Sequence, residues 1–498
     1  MATYRHGIYV SEQGTELISL ARQAGGLTFV VGTAPIREAA QAAEPNEPVL
    51  CTTYNDAVAA FGYSTDTAKY TLCEAMEVLF GLYQVSPVVM VNVFDPAVHK
   101  EEIEREKHLV TSDHTIELSG DILTNSIKVE KVEIVTEGDS DSDGDEEEEW
   151  VTVEPTNIEY TLEKTTLTFS DTYMMGAQMY VTYAKPDVTK VTALNVSGAV
   201  DTVTGKSTGL ELVNEVYARF GYTVGQIIAP GFSHLSEVGL KMAAKAELIN
   251  QHFSAIAIAD LDTSEIGGYS QAMQNKTSLG YSLPHLIACY PAVKYGERVQ
   301  HLSTHIAGIL ASQAADDDDI PFRSPSNKTI LISGMCNLDG SANYFGDEAA
   351  NVLNGQGIVT VTNFNGWKAW GNRTSAYPTN TDPKDAWISV RRMFDFIKAR
   401  LVLGFWSTID EPIMRRTIDS VVNSANTYLN GLVSAGALLG GRVEFNEADN
   451  SETDIMDGKL NFRCWITPPS PAEQINFTLK YDSSYLSNVL GVSESGND

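Results

Sequence analysis

Basic residues are scarce in this chain: Lys and Arg together number 34 against 65 Asp and Glu, a formal net charge of −31. Phosphate backbones and anionic bilayers repel such a surface, which argues against direct nucleic-acid binding. A run of about eighteen apolar residues, the minimum for a spanning helix, is missing, so no membrane insertion is expected. Met1 leads into ATYRHGIYVSEQG without a basic stretch and an apolar core, and the expectation is a protein made and kept in the cytosol. Cysteine is sparse too. Cys51, Cys73, Cys289, Cys336 and Cys464 are five, an odd number, far apart and without CxxC spacing, and they read as free thiols. Neither GxGxxG nor a GKS/T loop sits in a strand-to-helix turn, so no nucleotide cofactor is expected.

What is present is length and alternating texture. A chain of 498 residues predicts about two to four domains. Residues 1–22 read as an N-terminal arm. Over 23–107, strand-like LTFVVGTA and PVVMVNVF alternate with helical TAKYTLCEAMEVLFGLY, an α/β pattern. From 108 to 189 the pattern changes to short alternating stretches (HTIELSG, SIKVEKVEIV, YTLEKTTLTFS, QMYVTYA). These predict an inserted all-β domain bordered by the charged KEEIEREK. The α/β pattern resumes over 190–380, clearest in GQIIAPGFSHLSEVGLKMAAKAELINQHFSAIAIADLD, with PHLIACYPAV and KTILISGM as further buried strands. Residues 381–474 form a C-terminal α+β domain, and 475–498 a terminal arm. The fold class is therefore multidomain, mixed α/β (α+β).

Several fragments mimic catalytic or metal motifs. In DSDSDGDEEEEW, residues 139–150, the alternate aspartates and Gly144 match the first half of a calcium loop. Position twelve, which must be a bidentate Glu, is Trp150, a donor only. Period-two flanks make the segment an acidic hairpin tip. Gly231-Phe232-Ser233-His234-Leu235 lacks the second glycine of a nucleophile elbow, which leaves Ser233 as a helix N-cap. In that helix Leu235, Val238, Met242 and Ile249 are expected on one face. His301 and His305 are four apart, but Leu302 stands where a zinc protease carries glutamate. Asp260 and Asp262 follow the strand SAIAIA, where open α/β sheets bind ligands, yet acidic residues also end strands routinely. No catalytic, cofactor-binding or metal residue is assigned.

Two features favour assembly. Asp382 as N-cap, Pro383 and Asp385 open a long helix with Trp387, Val390, Phe394, Ile397 and Leu401 as its apolar stripe. Its other face carries Lys384, Arg391, Arg392, Lys398 and Arg400, read either as contacts to a partner or as an internally paired surface. In the last strand-like stretch Ile475, Phe477, Leu479 and Tyr481 alternate with polar residues, and Ile8, Tyr9 and Val10 offer a short strand at the other end. Terminal strands complete the chain's own sheet or are donated to a neighbour's, and the pattern alone leaves both open.

The last third of the chain strongly resembles the tail sheath proteins of contractile phage tails. The resemblance rests on DEAANVLNGQGIVTVTNFNGWKAWGNRTSA, ISVRRMFDFIKARL, GALLGGRVEFNEADN and PPSPAEQINFTL, with HGIYVSEQ and IIAPGFS extending it over most of the chain. R-type bacteriocins and other contractile injection systems have related sheaths. The resemblance implies a structural protein rather than an enzyme. It implies a sheath core with an inserted domain, stacked sixfold rings around an inner tube protein, and baseplate and tail terminator proteins as partners. It further implies a virion tail assembled in the host cytoplasm, contraction that drives the tube through a cell envelope, and terminal arms donated between subunits. The alternatives are a non-contractile baseplate or tube component and an α/β hydrolase.

Overall fold

A computed structural model describes residues 25–136, 146–161, 163–173, 175–263 and 268–488. The N-terminal arm, with Ile8, Tyr9 and Val10, and most of the acidic tip lie outside the described residues.

The longest apolar runs stack side by side. Thr28–Gly32, Val88–Asn92, Ile256–Asp260 and Leu286–Cys289 are buried along their whole length, as strands covered on both faces must be. They belong to a nine-stranded sheet. Its order is Lys328–Thr329, Trp367–Trp370, Ile358–Asn363, Leu286–Cys289, Ile256–Asp260, Gln226–Ile228, Thr28–Gly32, Val88–Asn92, Pro48–Cys51. From Ile358–Asn363 to Val88–Asn92 every neighbouring pair is parallel, and antiparallel strands close the flanks. One face packs on the helix Ser236–Glu247 through Val238, Met242, Ala243 and Ala246, the other on Leu302–Asp316 through Leu302, Ile306 and Leu310.

Local chemistry differs from expectation at several points. The helix over residues 67–83 is an α-helix only from Thr71 to Ala75 and widens to a π-helix over Met76–Leu82. KTILISGM is not one buried strand: Lys328–Thr329 is an exposed edge, and Gly334–Cys336 joins a separate small sheet. The stretch 100–107, expected as a border, is itself strand. Lys100–Leu109 pairs with Gln178–Pro186, its charged side chains facing solvent on a mostly exposed strand.

Between those two strands lie two antiparallel sheets around their own core of Ile116, Leu118, Val129, Leu167, Met179 and Val181. Lys128–Thr136 pairs with Glu146–Thr152, so residues 146–150 are strand rather than loop. Trp150, the residue that spoils the calcium motif, packs edge-on against Tyr180, and the Arg105 guanidinium stacks 4.0 Å from its ring centre.

After Asp382, whose carboxylate accepts the Lys384 N–H at 2.9 Å, a short turn Pro383–Ala386 is interrupted at Trp387 before the long helix Ile388–Phe405. Buried positions are Val390, Met393, Phe396 and Ile397, so the apolar stripe is rotated from the expected one, with Trp387, Phe394 and Leu401 half-buried. Arg415–Ser434 packs beside it, and Leu429, Leu432 and Val443 bring in a hairpin of Gly440–Phe445 and Phe462–Thr467.

Candidate assembly site

The hairpin stands alone as a two-stranded sheet, an arrangement that is marginal without support. Support comes from the helix Arg415–Ser434. Val443 is buried against it, and the Asn426 carboxamide accepts the Val443 N–H at 2.8 Å while donating to the Val443 carbonyl at 2.9 Å. Beyond Thr467 the chain runs through Pro468, Pro469 and Pro471, and residues 468–482 carry no regular structure. Among the described residues the expected terminal strand therefore has no strand partner. Ile475, Phe477, Leu479 and Tyr481 are 70, 86, 96 and 82% exposed. Burial of each such side chain on another surface is worth about 1.5–3 kcal/mol before ordering costs.

The root of this arm is tied to the body. Arg373 sits in the segment after Trp370, where backbone bonds from Thr374 N to Ala386 O and from Ile388 N to Asn372 O fix it against the start of the long helix. Its guanidinium lies 3.3 Å from the Trp387 ring centre and 4.5 Å from that of Tyr377, and it holds Glu473 through two bonds of 3.2 and 2.7 Å. Planar, delocalised charge suits both stacking and a two-point grip on a carboxylate. Sequence reasoning missed this pair. Arg373 stood inside the quoted Trp-Gly-Asn-Arg-Thr segment, but nothing in the pattern pointed to Glu473, a hundred residues on.

The basic residues of the long helix do not form one face. Arg392 is 3% exposed, donates to the Gly25 carbonyl at 3.0 Å, and is pulled down to about 10 by burial, which Asp395 opposes. It faces inward because its helix docks on the α/β body, so it is no surface contact. Arg391 is enclosed between Asp385 at 3.2 Å and Asp395 at 2.8 Å, and Lys384 pairs with Asp385. Arg400 lies against the Tyr428 ring, 5.6 Å from its centre. Lys398 is exposed, and its ammonium donates to Ser254 Oγ at 2.8 Å.

The other motif residues converge on a closed polar knot at the carboxyl end of Ile256–Asp260. Ser233 is not an N-cap, since its helix starts at Ser236. Buried to 1% exposure, Ser233 accepts the Asp260 N–H at 3.0 Å and donates to the Asp260 carboxylate at 3.2 Å. The Ser303 N–H, at 2.9 Å, and its hydroxyl also donate to Asp260. Burial pushes the Asp260 carboxyl up. Of the residues expected on the face of that helix, Val238 and Met242 are buried, Ile249 is buried just past its end, and Leu235 is 36% exposed.

His301 and His305 point to different partners: His301 Nδ1 lies 2.7 Å from Glu74, and His305 lies between Tyr83 Oη at 3.1 Å and Gln300 at 2.9 Å. Burial pulls His305 down to about 4. Among the described residues no group of three or more His, Cys, Asp or Glu is placed to hold a metal, and no helix is long and apolar enough to cross a membrane. The Ser233 hydroxyl is paired with Asp260, and among the described residues no imidazole bonds to it to act as a base.

Residues 380–481, which span the long helix, the hairpin and the exposed arm, match the phage tail sheath C-terminal domain family. Over its whole length the chain is similar to the tail sheath protein of Burkholderia phage BcepMu, 29% identical, covering 98% of this chain and 99% of that one. Residues 380–481 thus match the tail sheath C-terminal domain, and the chain as a whole is similar to tail sheath proteins. The tail sheath protein of Escherichia phage P2 is 22% identical over 60% of this chain and 73% of its own. The fold is also that of the helical sheath of the anti-feeding prophage in its contracted state, with a TM-score of 0.55 at 16% identity, covering 97% of this chain and 100% of that one. An extracellular contractile injection system, the PVC sheath complex in its contracted state, gives 0.55 at 14% identity, covering 97% and 99%. The proteins that the chain resembles are thus tail sheath components of phages and of contractile injection systems.

Proposed function

We propose that this sheath chain polymerises as stacked sixfold rings around an inner tube protein, and that contraction of the polymer drives the tube through a target cell envelope. The observation that carries this is the exposed arm: four alternating apolar side chains at 70–96% exposure, beyond a hairpin that has two strands among the described residues. A monomer gains nothing from such exposure, whereas a lattice in which each arm adds to a neighbour's hairpin buries it repeatedly.

In this reading the arms hold the lattice together while the bodies change packing. A difference of a few kcal/mol per subunit between two packings, summed over many copies, supplies the work without a nucleotide. Assembly takes place in the host cytoplasm on a baseplate and ends at a tail terminator, and the net charge of −31 slows untemplated encounter. Lys398, the exposed cation of the long helix, is retained as a contact to the tube or to a neighbouring subunit.

Electron microscopy of the purified chain, alone and with its cognate tube protein across a range of salt, tests the proposal. Striated cylinders, long around the tube or short and wide when empty, are expected. Compact monomers under every condition would overturn it.

A further inference from the structure

The amino ends of Thr28–Gly32, Val88–Asn92 and Gln226–Ile228 open onto a cleft of about 370 Å3. Leu27, Val85, Pro87 and Tyr222 line its apolar part, and Asp316 and Asp319, at and just beyond the end of Leu302–Asp316, line the rest. That fifteen-residue helix brings the negative end of its dipole here, its last turn carries no basic residue, and Asp317, Asp318 and Asp319 follow it. Burial and then the Asp316 and Asp318 charges push the Asp317 carboxyl up, although Arg323 sits 2.6 Å from it. A cation is therefore favoured in the cleft. The chain's own backbone enters at its lip. A Cβ on Gly25 would stand 2.1 Å from the Asp319 carbonyl oxygen, and one on Gly26 3.0 Å from Ala311 Cα, so the backbone is pressed against the helix end just before the first strand. Arg392 fixes the same point by donating to the Gly25 carbonyl at 3.0 Å.

We propose that this cleft seats residues 17–22 of the same chain, with Arg22 on the side of Asp316 and Asp319 and Leu17 and Leu20 against the apolar wall. Residues before Gly25 lie outside the described residues, but the point from which they depart is fixed at the lip. Arg22 is three residues from Gly25, a span of at most about 11 Å, so its guanidinium reaches the carboxylates without a long excursion. It is the only Lys or Arg between Arg5 and Arg37, and Leu17, Ile18 and Leu20 supply apolar side chains just ahead of it. A second copy competes poorly, because the tethered segment starts at the cleft and its effective concentration there far exceeds that of a separate chain. The contact gives the N-terminal arm a root on its own body, as Arg373 and Glu473 give the C-terminal one. It is a property of the single chain and does not depend on how a polymer is built.

Trypsin reads the contact directly, because it cuts after both Arg5 and Arg22. In the purified chain before assembly, cleavage after Arg22 should be about tenfold slower than after Arg5 at low salt, and should approach it at high salt, where the ion contact is screened. Asp316→Asn combined with Asp319→Asn should remove the protection at low salt while circular dichroism shows the fold retained. Equal cutting after Arg5 and Arg22 in the parent at low salt overturns the proposal, as does protection that survives the double substitution. Should that variant misfold, a disulfide decides. In a Cys464→Ser chain, Leu20→Cys with Ala315→Cys, oxidised at high dilution, should close within one chain and migrate faster on a non-reducing gel. Disulfide-linked dimers would assign the cleft to a second copy, and absence of any disulfide would leave residues 17–22 outside it; either result overturns the proposal.

Discussion

His301 grips Glu74 twice, its backbone N–H 2.8 Å from one carboxylate oxygen and its Nδ1 2.7 Å from the other, with both residues buried. The pair ties the helix beginning at Thr71 to the start of Leu302–Asp316, on one face of the central sheet. Thr304 also donates to Glu74, and Asp260 and His234 are the other titratable groups that act on His301.

Stability of the monomer should depend on pH through this pair. Burial lowers the His301 pKa, but the Glu74 charge, its hydrogen bond and Asp260 more than offset that and raise it from 6.5 to about 9. A raised pKa means that its contribution is complete below 6.5 and is lost as pH rises through about 9. Burial raises the Glu74 carboxyl, but His301 outweighs it and the net direction is down from 4.5, so that contribution holds above 4.5 and fades as pH falls below it. Asp260, pushed up, opposes Glu74 on the acid side, which leaves the alkaline limb as the cleaner readout. Tm against pH should fall between 7 and 9 in the parent and lose that limb in His301→Gln, which should also cost about 3–5 kcal/mol by stranding a buried carboxylate.

Gly239→Ala should destabilise the α/β body. A Cβ there would meet the Tyr281 hydroxyl at 1.8 Å, and that hydroxyl is committed to the Ser233 carbonyl. Overpacking of this kind costs about 1–3 kcal/mol, measured as a shift in urea midpoint.

Charge reversal separates two cations on one helix. Arg392→Glu buries a carboxylate against the Gly25 carbonyl and Asp395 and should unfold the chain or lower Tm sharply. Lys398→Glu, at an exposed position, should change monomer stability by less than about 1 kcal/mol and weaken assembly. Intact assembly in Lys398→Glu would remove that residue from the interface.

Ser233→Ala tests the hydrolase alternative. Removal of the hydroxyl loses both of its bonds to Asp260 and strands the buried Asp260 N–H, at about 1–3 kcal/mol, and particles built from the variant should retain full biological activity at temperatures where it is folded. Loss of activity in folded, assembled particles would point to chemistry at that serine.

Much of the fold was legible because burial on both sides of a parallel strand leaves an unbroken apolar run, as in Ile256–Asp260 and Val88–Asn92. KEEIEREK misled because a mostly exposed strand can be charged at nearly every position, erasing the period-two signal. Ser233 and Arg392 misled for a common reason: polar residues were assigned local roles, a cap and a surface charge, when long-range partners claim them. At the assembly site, the alternation of Ile475 to Tyr481 was visible, but its lack of an intramolecular partner was not. Asn426 on Val443 and Glu473 on Arg373 join positions whose spacing follows no period of helix or strand.

A three-dimensional reconstruction of polymer grown from the purified chain and its tube protein would show where each arm goes. Rings of six subunits are expected, with density for 475–481 running from each body onto the hairpin of another. Density that folds the arm back onto its own body, or polymer in which bodies touch without strand exchange, would contradict the donated-arm reading.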